Sequence, residues 1–253
     1  MDILNPYFPP FSLSFPGKDE KIEKQFCEKG VRVMHEIRIE RELYAVYPEI
    51  RLGCLQFYAK PGPSSGELSR FMENDILPRL RRECAGKNWE EIPGIRGSRA
   101  AYRAFGRNPG RYRVSSEALL RRVKRGEGIP PVNTVVDVNN MISLQSGLSL
   151  GSYDLSRIKG AVRLRRAGAG EGYRGIGKDF LDMENMLVLS DDEGIFGSSM
   201  SDSTRAMLRE DARNILTVIY CFEKEIPLDE LLCQAKAAFE KYAGAKDVEI
   251  GSV

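Results

Sequence analysis

NTVVDVNNMISLQSG, residues 133–147, opens on two residues suited to cap a helix and closes on a glycine suited to stop one. Val135, Val138 and Ile142 recur at helical spacing, so the stretch predicts one helix, capped by Asn133 or Thr134 and ended by Gly147. Asp137, Asn139 and Asn140 interrupt this otherwise apolar element. Buried amides need hydrogen-bond partners, which either a ligand or the neighbouring loop supplies.

Upstream, the rigid IPP at 129–131 separates this helix from SSEALLRRVKRG at 115–126. There Ser115 or Ser116 is the expected cap, Leu119, Leu120 and Val123 face inward, and Gly126 ends the helix. Arg121, Arg122, Lys124 and Arg125 are left in an outward row. The wider segment 96–125 carries ten basic residues, Arg111 and Arg113 among them, against Glu117 as its one acid, with Tyr102, Phe105 and Tyr112 interleaved. Cations that neutralise phosphates and rings that stack on bases are the ingredients of an RNA surface. A solvated helix face has the same composition.

Downstream, LSLGSYDLSRIKG at 148–160 reads as a loop with a short turn. AVRLRR then alternates, Val162 and Leu164 on one face and Arg163 and Arg165 on the other. MLVLSDDEGIFG reads as strand, acidic turn and strand. Two closing helices are expected, over about 204–222 and 228–242, the second entered through Pro227 and left at Gly244. Before the basic segment, 19–89 alternates helical and strand-like patterns: KIEKQFCEKG is helical, 50–59 a strand, and 67–84 a helix following PGPSSG.

Composition narrows the possibilities. The chain has 253 residues, 42% of them hydrophobic and 29% charged, enough for a proper core. A net charge of +2 gives no general attraction to a polyanion, so any such attraction is local. Five widely spaced cysteines without a CxxC pair disfavour disulfides and thiolate metal sites and fit a reducing cytoplasm. With His35 as the single histidine, an HExxH helix is excluded and no metal or cofactor is expected. Prolines 6, 9, 10 and 16 break the first residues into a proline-rich arm, 1–18, and no apolar run is long enough for a membrane span.

Short motifs add little. GEGYRG at 170–175 matches the glycine pattern of a pyrophosphate cradle, but no helix opens behind it, so it reads as a connection. Asp191, Asp192 and Glu193 precede Gly194 and mark a turn. The segment 198–204, GSSMSDST with its leading glycine, is rich in hydroxyls and backbone donors that suit a carboxylate, ribose or phosphate; an exposed connector looks the same.

The order of these pieces resembles a known family. Residues 101–171, from AYRAFGRNPGRYR to RAGAGE, are similar to the B3/B4 domain of phenylalanyl-tRNA synthetase beta subunits and to its stand-alone homologues. Ser116, Glu117, Leu119, Leu120, Arg121, Arg122, Pro130, Asp137, Asn140, Ser143, Leu144, Gly147 and Asp154 carry the resemblance. MLVLSDDEGIFGSS and EDARNILTVIYC extend it, with Asn214 retained and Ala212 in place of the usual threonine.

The resemblance implies an α+β, three-layer fold with a β-sandwich core, here with an N-terminal α/β extension and one domain over 19–253. It implies a partner in tRNA or aminoacyl-tRNA, and a cleft of the kind that hydrolyses misacylated tRNA without a metal. Asn139, Asn140, Gly151, Ser152, Asp154, Ser198, Ser199 and Thr204 are the expected cleft, with the asparagine helix and the hydroxyl-rich connector facing each other across it. Arg111, Arg113, Arg121, Arg122, Lys124 and Arg125 are the expected RNA contacts. The sequence departs from the family at Gly151, where synthetases commonly carry a histidine, and at Val218, where they carry a glutamate that senses the tyrosine hydroxyl. Two readings stay open: editing of misacylated tRNA in trans, or a catalytically inactive protein that binds tRNA, a free amino acid or another small molecule in the same cleft.

Overall fold

The structure, a computed structural model, describes residues 34–253. The proline-rich arm and the helix expected at KIEKQFCEKG lie outside the described residues. The elements run β1 (Ile37–Ile39), α1 (Arg41–Val46), β2 (Arg51–Tyr58), α2 (Gly66–Phe71), a π-helical turn (Met72–Ile76), α3 (Leu77–Glu83) and α4 (Pro93–Ala104). Then come α5 (Ser115–Lys124), α6 (Thr134–Ser146), β3 (Ser149–Asp154), β4 (Val162–Arg166), β5 (Gly172–Arg174) and β6 (Phe180–Asp182). β7 (Leu187–Asp191), β8 (Gly194–Gly197), β9 (Asn214–Cys221), α7 (Leu228–Ala243) and β10 (Lys246–Ser252) complete the chain.

Two four-stranded sheets, in the orders β1-β4-β7-β8 and β10-β2-β9-β3, lie face to face, and β5 with β6 forms a separate ribbon. The strand period sorts the second sheet into two apolar faces. Leu52, Cys54, Leu216, Val218 and Tyr220 meet Val162, Leu164, Leu187, Leu189 and Phe196 of the first sheet in one core. Leu55, Phe57, Ile215 and Ile219 turn the other way and pack on Val138 and Ile142 of α6 and Phe239 of α7 in another. Helices, sheet and sheet therefore make the three layers of an α+β fold.

The expected helix over 204–222 is a strand. Residues 214–221 form β9, hydrogen-bonded to β2 on one side and β3 on the other, and 204–213 is irregular. Ile215, Thr217, Val218 and Ile219 are β-branched, and a strand sandwiched between two layers needs apolar side chains on both faces. Such a run loses the alternation that marks a half-buried strand, which is why it reads as helical. Likewise the loop expected at 148–160 contains β3, buried at every position, and the glycine-rich connection contains β5.

Elsewhere local signals hold. Asn133 Oδ1 accepts from the N–H groups of Val135 and Val136 at 3.1 and 3.0 Å, and Gly147 ends α6 at φ 71°, the left-handed region that a side chain disfavours. α7 starts after Pro227 and ends at Gly244. α5 starts at Ser115 without a side-chain cap; the Ser115 N–H donates to the Ser199 carbonyl at 2.8 Å instead. No helix among the described residues is long and apolar enough to cross a membrane.

Candidate functional site

β3 places neighbouring residues on opposite faces of the second sheet. Towards the helices, Asn139 Nδ2 of α6 donates to Ser152 Oγ at 2.8 Å, and Ser152 shares a 2.5 Å hydrogen bond with Thr217 Oγ1 of β9. Asn139 Oδ1 is buried without a partner, and Asn140 beside it is half-buried. Asp137 accepts from Ser64 Oγ and from Val132 N–H, fastening two loops to α6. Asp154 accepts from Ser156 and ion-pairs with Arg157, closing the turn behind its own strand.

Towards the first sheet, the neighbour of Ser152 is Tyr153, fully buried. A Cβ added at Gly151 would lie 2.1 Å from the Tyr153 hydroxyl, and one at Gly197 2.3 Å. The phenol thus fills the space between the sheets, held edge-on against Phe196 at 5.0 Å. Its hydroxyl donates to Asp202 Oδ1 at 2.7 Å and meets Tyr220 Oη at 3.1 Å. Tyr102 Oη shares 2.7 Å with Ser199 Oγ, and Tyr173 Oη reaches Ser198 Oγ at 3.2 Å. Three phenols, Tyr102, Tyr153 and Tyr173, therefore hold the segment 198–203, with Tyr220 bonded behind Tyr153. A Gly197→Ala variant is expected to displace Tyr153 and lower stability by about 1–3 kcal/mol in urea unfolding.

The asparagine helix and the hydroxyl-rich connector consequently do not face each other across one hollow. Asn139 and Ser152 lie on the helix side of the second sheet, Gly151, Ser198 and Ser199 on its other side, and Tyr153 occupies the gap between the sheets. Thr204 stands apart again, on the surface.

Burial among the rings raises the carboxyl of Asp202 from its ordinary 3.8 to about 7, although part of the residue stays within reach of solvent. Its Oδ1 accepts from Tyr153 and, at 3.4 Å, from Ser198 N–H. Burial likewise pushes Tyr153 and Tyr220 well up and Tyr102 to about 12. A carboxyl poised near neutrality in a fixed polar cluster is a candidate for moving a proton. The Asp202 carbonyl accepts from Ile176 N–H, and Thr204 N–H donates to the Arg174 carbonyl, so the β5–β6 ribbon is fastened directly to the connector. Between them Arg174, Gly175, Gly177, Lys178, Asp179 and Thr204 line an open groove of about 450 Å³.

The basic row of α5 is tied into the protein. Arg121 is bidentate to Glu117 Oε1 at 3.0 and 2.8 Å and lies over the Trp89 ring at 4.5 Å. Lys124 covers the same ring and donates to the Lys87 carbonyl at 2.8 Å. Arg122 and Arg125 both pair with Glu127. Arg111 lies over Tyr112 at 5.5 Å, and Arg113 is exposed. Arg121 is thus bound to a buried acid, whereas Arg122 and Arg125 pair only at the surface.

Tyr153 and Asp202 fall within the expected segments 151–154 and 198–204 without being singled out there, and Tyr220 lies outside them. Their signal is a polar-tipped ring within a buried strand, which needs a buried partner; in the sequence, Asp202 is hidden among serines.

The B3/4 domain family matches residues 97–230, more than half of the chain. The phenylalanine–tRNA ligase beta subunit of Bartonella quintana is 28% identical over 146 residues, covering 52% of this chain and 16% of that protein. The corresponding subunit of Symbiobacterium thermophilum is 32% identical over 108 residues, covering 38% and 12%. That of Streptomyces avermitilis is 38% identical over 81 residues, covering 31% and 10%. The similarity thus spans about a sixth or less of each of these curated relatives. An N-terminal fragment of the phenylalanyl-tRNA synthetase beta-subunit from Pyrococcus horikoshii superposes with a TM-score of 0.41 at 13% identity, covering 84% of this chain and 50% of that one, too distant to bear on function.

Proposed function

Because this chain belongs to the B3/4 domain family, we propose that it acts on tRNA, binding the acceptor end of tRNA or aminoacyl-tRNA as a module separate from any aminoacylating site. The carrying observation is the groove lined by Arg174, Lys178, Asp179 and Thr204, fastened to a connector whose Asp202 carboxyl is poised near neutrality. The relatives are named as tRNA ligase subunits, which supports tRNA as the partner.

Asp202 also bears on a second reading, hydrolysis of misacylated tRNA in trans, which requires its carboxyl, set behind the groove lining and bonded to Tyr153, to reach the attacking water. Ester cleavage needs a group that takes a proton from the attacking water and returns one to the departing ribose oxygen. A carboxyl with a pKa near the working pH does both most efficiently. The water oxygen then bonds to the aminoacyl carbonyl carbon, the ester C–O bond breaks, and free amino acid and tRNA leave.

A deacylation assay over a panel of mischarged tRNAs, combined with filter binding, tests both readings. Release above the spontaneous rate is expected to fall about 10²- to 10⁴-fold in Asp202→Asn. RNA binding without release from any member of the panel would eliminate hydrolysis and leave the binding module. Absence of RNA binding would overturn the tRNA reading and favour a small-molecule site.

A further inference from the structure

The outer face of the β5–β6 ribbon carries a feature that the buried cluster does not use. Arg174 and Phe180 are direct cross-strand partners, and Tyr173 and Leu181, one position along, turn inward against Val188 and Ile195. Phe180 is 66% exposed, and Ile176 at the turn 47%. A Cβ at Gly172 would lie 2.4 Å from the Phe180 ring. The ring therefore lies across the bare backbone of the opposing strand, fixed on one side and open to solvent on the other. Beside it, Arg174 and Lys178 line the groove, and neither makes an ion pair among the described residues.

We propose that this ribbon receives the single-stranded end of an RNA, with one base stacked on Phe180 and a backbone phosphate held between Arg174 and Lys178. The proposal rests on the tRNA reading and gives it a location away from α5. A fixed ring with a free face offers stacking at little cost in side-chain order, and every base has a face to stack. Arg174 and Lys178 supply charge apart from α5, where Arg121 is held by the buried Glu117 and Arg122 and Arg125 share Glu127 at the surface. Asp179 also lines the groove, so the attraction is short-ranged and suits one or two phosphates, in keeping with a net charge of only +2.

The test is equilibrium binding of the full chain to a hairpin RNA with a short single-stranded 3′ extension, and to its blunt counterpart, over a range of salt. The extended hairpin is expected to bind roughly tenfold more tightly than the blunt one, and Phe180→Ala to remove that advantage while Phe180→Tyr keeps it. The double variant Arg174→Ala with Lys178→Ala is expected to flatten the slope of log affinity against log salt by about 0.7, the contribution of one phosphate contact on a single strand. All three variants change exposed side chains, and circular dichroism checks their folding. Equal binding of blunt and extended hairpins, or unchanged affinity and slope in the variants, overturns the ribbon proposal and leaves RNA contact elsewhere on the molecule. No binding of either RNA by the parent protein overturns this proposal and the tRNA reading together. Loss of binding to another protein, with RNA binding intact, would identify the ribbon as a protein contact and also overturn it.

Discussion

Asp202→Asn protein is expected to be more stable than its parent at pH 8, by about 2–4 kcal/mol, and nearly equal to it at pH 4. Burial raises the folded carboxyl to about 7, against 3.8 for the ordinary group. Between those values the folded chain holds a proton that the unfolded chain has released. Stability therefore falls as pH rises through this window and levels off above about 7. Asparagine keeps an oxygen for Tyr153 Oη and Ser198 N–H but has no charge to bury. Other carboxylates work in the opposite sense: the hydrogen bonds from Arg165 hold Glu171 at about 2, against an ordinary 4.5, so its contribution is full above that ordinary value and is lost progressively as pH falls towards about 2. Comparing urea midpoints of variant and parent from pH 4 to 8 isolates Asp202. A stability difference that does not change with pH would show that its carboxyl titrates normally.

Glu117→Ala is expected to cost about 3–5 kcal/mol, the penalty for leaving a buried cation without its partner. Glu117 is completely buried and takes two hydrogen bonds from Arg99 Nη1, at 3.2 and 3.0 Å, and two from Arg121. Arg99 is itself largely buried, and only Glu90, on the surface, would remain to balance it. Arg122→Ala and Arg125→Ala remove exposed partners of Glu127 and are expected to change stability by less than about 0.5 kcal/mol. Urea unfolding of the three variants separates the cases. A Glu117→Ala cost no greater than that of the surface pair would mean that the buried triad contributes little.

Glu117 also shows where sequence reading stops. As the single acid in a basic segment it is easily passed over, yet it is the hub that draws Arg99 and Arg121 inward. Charge counted along the chain says nothing of which cations are spent on one buried acid. Capping and stopping signals are local and survive folding, so α6 between Asn133 and Gly147, and α7 between Pro227 and Gly244, could be read directly. So could the β7–β8 hairpin across its acidic turn, and the inward Val162 and Leu164 of β4. β9 and β3 could not, because a strand buried on both faces has no alternation to display. The site suffered most. Asn139 and Ser199 are both buried polar residues near β3, but which side of a sheet each occupies is decided by register, and a one-residue step reverses it.

The second sheet carries a consequence for how the molecule is made. β2 has β9 on one edge and β10 on the other, and Arg51 and Cys221, paired across it, are 170 positions apart. A nascent chain therefore emerges from the ribosome with β2 apolar and open along both edges, and keeps it so through most of its own synthesis. Long-range pairing of this kind forms slowly, and an unpaired strand edge is a template for association with other chains. The interval before residues 214–252 emerge, more than any weakness of the finished fold, is when this protein is most exposed to aggregation.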